Sequence, residues 1–392
     1  MREAVIVSIV RTAIGRAING SLRNTRPEHT AAEVVKEAVR RASGLKPEKI
    51  DDLIMGNSFP EAEAGMNLGR VVALKAGLPP SVPGITVNRY CASGLEAIGI
   101  ACQKIMCGFA DVVVAVGTEH TSLVPMGGNK PMPDPDLITT WPEVYITMGL
   151  TAENVAQRFK ISRQDQDAFA LESHQKAARA QAEGRFKDQI LPLKVIDRGF
   201  EGSRVVVREK IFDKDECVRP DTSLEALSKL RPVFRAGGTV TAGNSCPLND
   251  GSAAAVIMSR EKARELGLKP MAVFRSIGVG GVDPEIMGIG PVVAIPKALK
   301  YAGISLDAVD LIELNEAFAS QSIYVMRTLG IDPARLNVNG GSIALGHPLG
   351  CTGVYLTAKL LYEMERRKAR YGITTMCIGG GMGAAAVFER ES

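Results

Sequence analysis

Four side chains of this 392-residue chain have the types and settings that acyl chemistry on carbon requires. Cys91, in NRYCASGLEA, follows a predicted strand and opens a predicted helix, whose N-terminal partial charge favours a thiolate. Ala92, Ser93 and Gly94 are small, so the turn is sharp and the sulfur approachable. His347, in GHPLG, lies in a glycine- and proline-rich loop and has the chemistry of a base that activates a thiol. Cys377 closes a predicted strand and is followed by a glycine run from Gly379, whose bare N–H groups suit an oxyanion. Asn315, ending a strand in LNEAF, has an amide that orients water or donates to developing negative charge. Singly, each has a plainer reading: a packed cysteine, a capping histidine, a close strand crossing, a turn asparagine. Together they can hold an acyl group and move a proton on carbon.

The elements that must position them occur twice. Val35, Ala38, Val39 and Ala42 form the stripe of a half-buried helix, and Ile295, Ala298, Leu299 and Ala302 repeat its spacing. Gly44 and Gly303 read as helix stops. Each helix leads to a strand-like DLI, with Asp52 five residues before Asn57 and Asp310 five before Asn315. ITVN (85–88) then runs into CASG and a helix, as LNVN (336–339) runs into GCTG and another. From Asn88 to Gly94 is 6 residues and from Asn339 to Gly353 is 14, so the second copy carries 8 more, His347 among them. VVVAVG (112–117) matches ITTMCIG (373–379), which sets Cys377 opposite Ala115. Alternating helices and strands in duplicate imply an α/β fold of two similar layered domains. Residues 119–249 break the pattern and read as an inserted lid.

Composition bounds the function. Net charge of +4 without long like-charge runs does not suggest a nucleic-acid binder. No apolar stretch reaches the roughly 18 residues needed to span a bilayer, and MREAVIVSIVRT reads as a first strand, not a signal peptide. Seven dispersed cysteines without CxxC pairs suit a reducing cytosol and argue against zinc; Cys102, Cys107 and Cys217 read as buried hydrophobes. His29 and His174 read as surface helix residues, while His120 could face the cleft. The glycine runs lack the acidic residue of a dinucleotide fingerprint, and no Walker motif is present.

NRYCASG, NEAFA, NGGSIALGHPLGCTG and CIGGGMGAAAVFE, in this order and at these separations, closely resemble the thiolase family, and the resemblance covers the whole chain. It implies the five-layered αβαβα thiolase fold. Residues 1–118 with 250–270 would form the N-terminal domain, 119–249 the inserted loop domain and 271–392 the C-terminal domain. It implies Cys91 as the acylated nucleophile, His347 as its activator and Cys377 as the acid/base at the α-carbon. One oxyanion hole would come from His347 and an Asn315-held water, the other from the N–H groups of Cys91 and Gly379. Coenzyme A contacts would come from Met148, Arg219, Leu230, Phe234, Ala242, Ser245, Cys246, Ala317 and Phe318. The activity implied is cleavage of 3-ketoacyl-CoA by free CoA, or the reverse condensation, with acyl-CoA and CoA as substrates and no permanently bound cofactor. A cytoplasmic homodimer or dimer of dimers, with neither nucleic acid nor membrane insertion, is the expected setting.

Two departures refine the resemblance. Thr147, where acetoacetyl-CoA-forming members usually carry histidine, points to degradative members of broader chain length. Cys246 stands where many members place a serine near pantetheine, leaving Ser245 or Cys246 as the contact. The segment from His120 to Met148 looks short for a tetramer-forming hairpin. Cys377 argues against a decarboxylating ketosynthase and against a cysteine hydrolase, and the intact set of four argues against a binding-only relative.

Overall fold

The structure, a computed structural model, describes residues 2–391. The first half runs β1 (Ala4–Thr12), β2 (Gly15–Arg16), α1 (Pro27–Arg41), β3 (Asp52–Gly56), α2 (Leu68–Lys75), β4 (Gly84–Val87), α3 (Ser93–Met106) and β5 (Val112–His120). An excursion follows through α4 (Pro135–Thr140), α5 (Met148–Arg158), α6 (Arg163–Ala182), β6 (Ile190–Leu191), the hairpin β7 (Leu193–Glu201) and β8 (Arg204–Phe212), and α7 (Leu224–Ser228). The chain returns in β9 (Asn249–Ser259) and α8 (Arg260–Glu265). The second half is β10 (Ala272–Gly281), α9 (Gly290–Ala302), β11 (Leu311–Leu314), α10 (Ala319–Leu329), α11 (Ser342–Leu345), α12 (Leu349–Arg367), β12 (Tyr371–Ile378) and β13 (Met382–Arg390).

The strand order β11-β12-β13-β10-β1-β9-β5-β3-β4 reads as one pattern from either end to the middle, where β1 meets β10 antiparallel through Val5–Val273 and Ile6–Ala272. Five layers result. Ala31, Val34, Val35 and Ala38 of α1 cover the outer face of the first half-sheet, and Ala294, Ile295, Ala298 and Leu299 of α9 cover that of the second. Between the half-sheets lie α3 and α12, both apolar on most sides because they are buried on most sides. No helix among the described residues is long and apolar enough to cross a membrane.

The duplication extends to individual hydrogen bonds. Ser8 Oγ donates to the Ala38 carbonyl at 2.6 Å, and Ser276 Oγ to that of Ala298 at 2.7 Å. Asp51 Oδ2 accepts from the N–H groups of Asp111 and Val112, and Asp310 Oδ2 from those of Arg370 and Tyr371. These bonds correct the register read from sequence. Asp310 corresponds to Asp51, not Asp52, so Asn315 corresponds to Gly56 and Glu316 to Asn57. The ladders agree on the other strand: Thr118 pairs with Ser252 and Cys377 with Gly383, in strands whose AAAV runs superpose. Cys377 therefore occupies the place of Thr118, not of Ala115. Gly117 lies inside β5 whereas Gly379 lies beyond the end of β12, so matching those two glycines slips the alignment by three residues.

Other expectations also shift. LNVN forms no strand, only a bridge from Leu336 to Ile312. α1 stops at Arg41, before Gly44, although Gly44 does take the left-handed conformation at φ 81°. Cys107 is exposed on the turn after α3, whereas Cys102 and Cys217 are buried. His174 is buried, its Nδ1 accepting from the Arg219 N–H at 3.1 Å. His120 is buried too, but against α1, where Nε2 meets Thr30 Oγ1 at 2.8 Å.

Gly94 and Gly353, which aligned the two copies, mark where α3 and α12 cross. A Cβ on Gly94 would lie 2.7 Å from the Gly350 carbonyl, and one on Gly353 would fall on the backbone nitrogen of Leu95. Neither backbone can yield without shifting a central helix. Gly353→Ala is accordingly expected to cost about 3 kcal/mol of stability, read from denaturant unfolding; a midpoint unchanged from wild type would show the crossing to be looser than drawn.

Candidate active site

Cys91 sits in a single 3-10 turn, Tyr90–Ala92, that feeds α3. Tyr90 has φ 42°, a left-handed conformation that costs a non-glycine residue on the order of 1 kcal/mol and must be held from outside. It is held at both ends: its N–H donates to Asn88 Oδ1 at 2.8 Å, and its carbonyl accepts from Ser58 Oγ at 2.9 Å and Ser93 Oγ at 2.6 Å. The sulfur of Cys91 is buried and receives the Gly379 N–H. Burial, together with the negative charge of Glu119, raises its pKa to about 11 despite the helix N-terminus. The resting group is a thiol, not the thiolate expected from the helix position alone.

The Gly379 N–H can point there because Gly380 and Gly381, at φ 80° and 84°, turn β12 sharply into β13. Cys377, two residues earlier on β12, is fully buried, and burial pushes its thiol well up; the thiols of Cys91 and Cys246 add to that shift. Three sulfurs thus share one neighbourhood.

β11 runs parallel to β12 and delivers Asn315, whose N–H donates to the Thr375 carbonyl at 2.9 Å. Its side chain is oriented by Ser342, which donates to Oδ1 at 2.6 Å, leaving Nδ2 to face His347 Nε2 at 3.3 Å. On the other side of the ring, His347 Nδ1 meets Thr352 Oγ1 at 2.6 Å. With Asn315 Nδ2 donating, the ring proton belongs on Nδ1, where Thr352 accepts it, and Nε2 carries the lone pair that can take a proton. The His347 N–H donates to Asn249 Oδ1 at 2.8 Å, which ties its loop to β9.

Burial lowers the His347 pKa to about 3. Burial penalises the imidazolium, so the neutral ring persists far below the usual 6.5. Acyl-enzyme formation is therefore expected to show no loss of rate with a midpoint near 6.5 as pH falls from 7.5 to 5, measured by single-turnover acylation. A midpoint there would mean that the ring is solvated.

The sequence-predicted CoA residues divide into two groups. Met148, Cys246, Ala317 and Phe318 join Ala152, Val240 and Met287 in an apolar cluster around Cys377. The Phe234 ring meets Phe318 edge-on at 6.1 Å and fills the space beside Gly149. Ser245 spends its hydroxyl on the Thr241 carbonyl at 2.7 Å, while Cys246 packs with the cluster. Arg219, Leu230 and Ala242 lie on exposed loops of the excursion, where the Arg219 N–H donates to His174 and the Leu230 carbonyl accepts from Arg163. Sequence reasoning missed Thr352, Ser342 and Asn249, which set the histidine's tautomer and place. Only Thr352 left a local trace, one helical turn beyond His347 in HPLGCT.

Known proteins supply an independent comparison. The family model described as thiolase, N-terminal domain, matches residues 4–261, and that described as thiolase, C-terminal domain, matches residues 268–390. The chain is 55% identical over 390 residues to 3-ketoacyl-CoA thiolase of Bacillus subtilis, covering 99% of this chain and 100% of that one. It is 45% identical over 400 residues to acetyl-CoA acetyltransferase of Chromobacterium violaceum, covering 99% and 100%. Among solved structures, the Bacillus anthracis acetyl-CoA acetyltransferase aligns with a TM-score of 0.88 at 42% identity, covering 100% of this chain and 99% of that one. Human mitochondrial 3-ketoacyl-CoA thiolase aligns with a TM-score of 0.88 at 39% identity and the same coverage.

Proposed function

The chain belongs to the thiolase family, and from that premise we propose that it cleaves 3-ketoacyl-CoA with CoA through a Cys91 acyl-enzyme. The observation that carries the proposal is the Gly379 N–H aimed at the Cys91 sulfur from the strand turn that also places Cys377. A nucleophile, an oxyanion donor and a second thiol then converge on one carbon skeleton.

The steps follow from the geometry. Cys91 Sγ attacks the 3-keto carbon as His347 Nε2 takes its proton, and the resulting oxyanion is stabilised by backbone N–H groups. The bond between the carbonyl and the α-carbon breaks, and the neutral, buried Cys377 thiol protonates that carbon, releasing acetyl-CoA. Free CoA then attacks the thioester, its proton passing to the Cys377 thiolate; the carbon–sulfur bond to Cys91 breaks, the shortened acyl-CoA leaves, and His347 returns its proton to Cys91 Sγ. Run backward, the same groups condense two acyl-CoA molecules. The reaction uses CoA as a substrate and calls for no resident cofactor.

Met148, Ala152, Val240, Met287 and Phe318 offer the substrate carbon chain an apolar wall next to Cys377. That wall, Thr147 before Met148, and the 55% identity to the Bacillus subtilis 3-ketoacyl-CoA thiolase support a degradative enzyme of broad chain length. Thiolysis assays across 3-ketoacyl-CoA substrates of increasing length are expected to show turnover beyond acetoacetyl-CoA. Activity confined to acetoacetyl-CoA would favour the acetyltransferase reading instead.

We place the three-part domain division where the sequence set it, with β9 returning to the first half-sheet after the excursion. A homodimer is also proposed. β4 is the free edge of the sheet, and Met66, Val71, Leu74 and Ile85 beside it expose apolar surface that a second copy would cover. Sedimentation should give twice or four times the chain mass, and a monomer would refute this. The thiols the reaction needs suit a cytoplasmic location.

A further inference from the structure

One buried acid takes no part in the steps above. Glu119, at the end of β5, is 1% exposed. Its Oε2 accepts the Ser58 N–H at 2.8 Å and the Gly350 N–H at 2.9 Å, and its Oε1 accepts from Asn57 Nδ2 at 3.1 Å. The Phe59 N–H and the Ser58 hydroxyl also reach it, so its donors are backbone groups, a hydroxyl and a carboxamide, none of them charged. Burial pushes the carboxyl pKa upward, and the donors offset only part of that rise. All of them point hydrogens at the carboxylate, so the arrangement suits the ionised form.

The donors come from the two halves of the molecule. Ser58 follows β3 in the first half, and its Oγ supports the strained Tyr90 carbonyl one residue before Cys91. Gly350 lies in the first turn of α12 in the second half, three residues after His347. Its Cα packs so closely that an added Cβ would lie 2.9 Å from Glu119 Oε2 and 2.8 Å from the Asn57 Cα. One oxygen atom therefore ties the cysteine's elbow to the histidine's helix. The duplicate position on β12 is Ile378, next to Cys377, so the tie exists only in the half that carries the nucleophile.

We propose that Glu119 is a positioning residue for the acylation step, fixing the Cys91 elbow and the His347 loop relative to each other by accepting backbone N–H groups from the Ser58 segment that supports the elbow and from Gly350 in the helix that follows the loop. The proposal rests on reading Cys91 and His347 as nucleophile and base. Carbon–sulfur bond formation and proton transfer must occur in one geometry, and a displacement of about 1 Å can cost on the order of 100-fold in rate. The carboxylate acts through backbone, touches no substrate, and is needed for its two acceptor oxygens.

The test compares wild type, Glu119→Gln and Glu119→Ala in the full-length protein, with acetyl-CoA as acyl donor. Glutamine keeps one acceptor oxygen for the two N–H groups but turns its amide toward the Asn57 amide. Alanine removes every tie, and glutamine stands in should the alanine protein fail to fold. Single-turnover acylation of Cys91, followed by intact mass, is expected to fall about 10-fold in Glu119→Gln and about 100-fold in Glu119→Ala, with half-saturating acetyl-CoA within about threefold of wild type. Iodoacetamide alkylation of Cys91, followed by peptide mass, needs only the cysteine and is expected to stay within about threefold of wild type or to rise. Acylation within twofold of wild type in both variants would overturn the proposal. So would alkylation that falls in parallel with acylation, because the elbow itself would then be lost. If wild type forms no thioester at Cys91, the nucleophile assignment fails instead, whatever the Glu119 variants do.

Discussion

A Cys91→Ser protein is expected to form no acyl-enzyme on incubation with acyl-CoA and to lose thiolysis by about 10⁵-fold or more. Burial already holds the thiol pKa at about 11, and a hydroxyl in the same place would be far harder to ionise. A neutral His347 cannot make up the difference. An oxygen ester would also forfeit the electrophilic carbonyl that lets CoA complete the cycle. Intact mass after acetyl-CoA treatment and steady-state thiolysis read the two losses separately. Covalent acylation persisting at position 91 would sink the nucleophile assignment.

Cys377→Ala should separate the two halves of the chemistry. Acylation of Cys91 is expected to continue near the wild-type rate, because the Gly379 N–H is a backbone group that the substitution leaves in place. Exchange of the α-protons of acetyl-CoA with solvent deuterium, followed by NMR, is expected to fall by about 10³-fold, and condensation with it. The side chain is fully buried among Ala152, Val240, Met287, Ala317 and Phe318, so water is poorly placed to replace the lost thiol. Wild-type exchange in this variant would reject the proton-transfer role.

Much of this site was legible because its parts are contiguous in the chain. Each of the four side chains announced itself by a short segment with a local physical reason: small residues after Cys91, a strand end at Asn315, glycine and proline about His347, the glycine run after Cys377. The run proved to need glycine at two left-handed positions, Gly380 and Gly381. The helices of the repeat were likewise visible from spacing, and the Ala38–Ala298 equivalence survives in their matching serine hydrogen bonds. The strand equivalences did not survive. A short apolar strand looks similar when shifted by one or three residues, and only pairing across the sheet tells the shifts apart.

Residue type and local pattern by themselves determined the α/β class, the duplication and the thiolase family, and singled out four candidate side chains. Each of these is written in segments of a few to a few tens of residues. Tertiary structure decided what depends on residues far apart in sequence: that Thr118, not Ala115, answers Cys377; that Cys91 rests as a thiol; that Asn315 faces His347; that Glu119 joins the halves. The reason is the same in every case. Burial, charge and hydrogen-bond partnership are properties of neighbours in space, and at this site the neighbours come from elements as distant as β5 and α12.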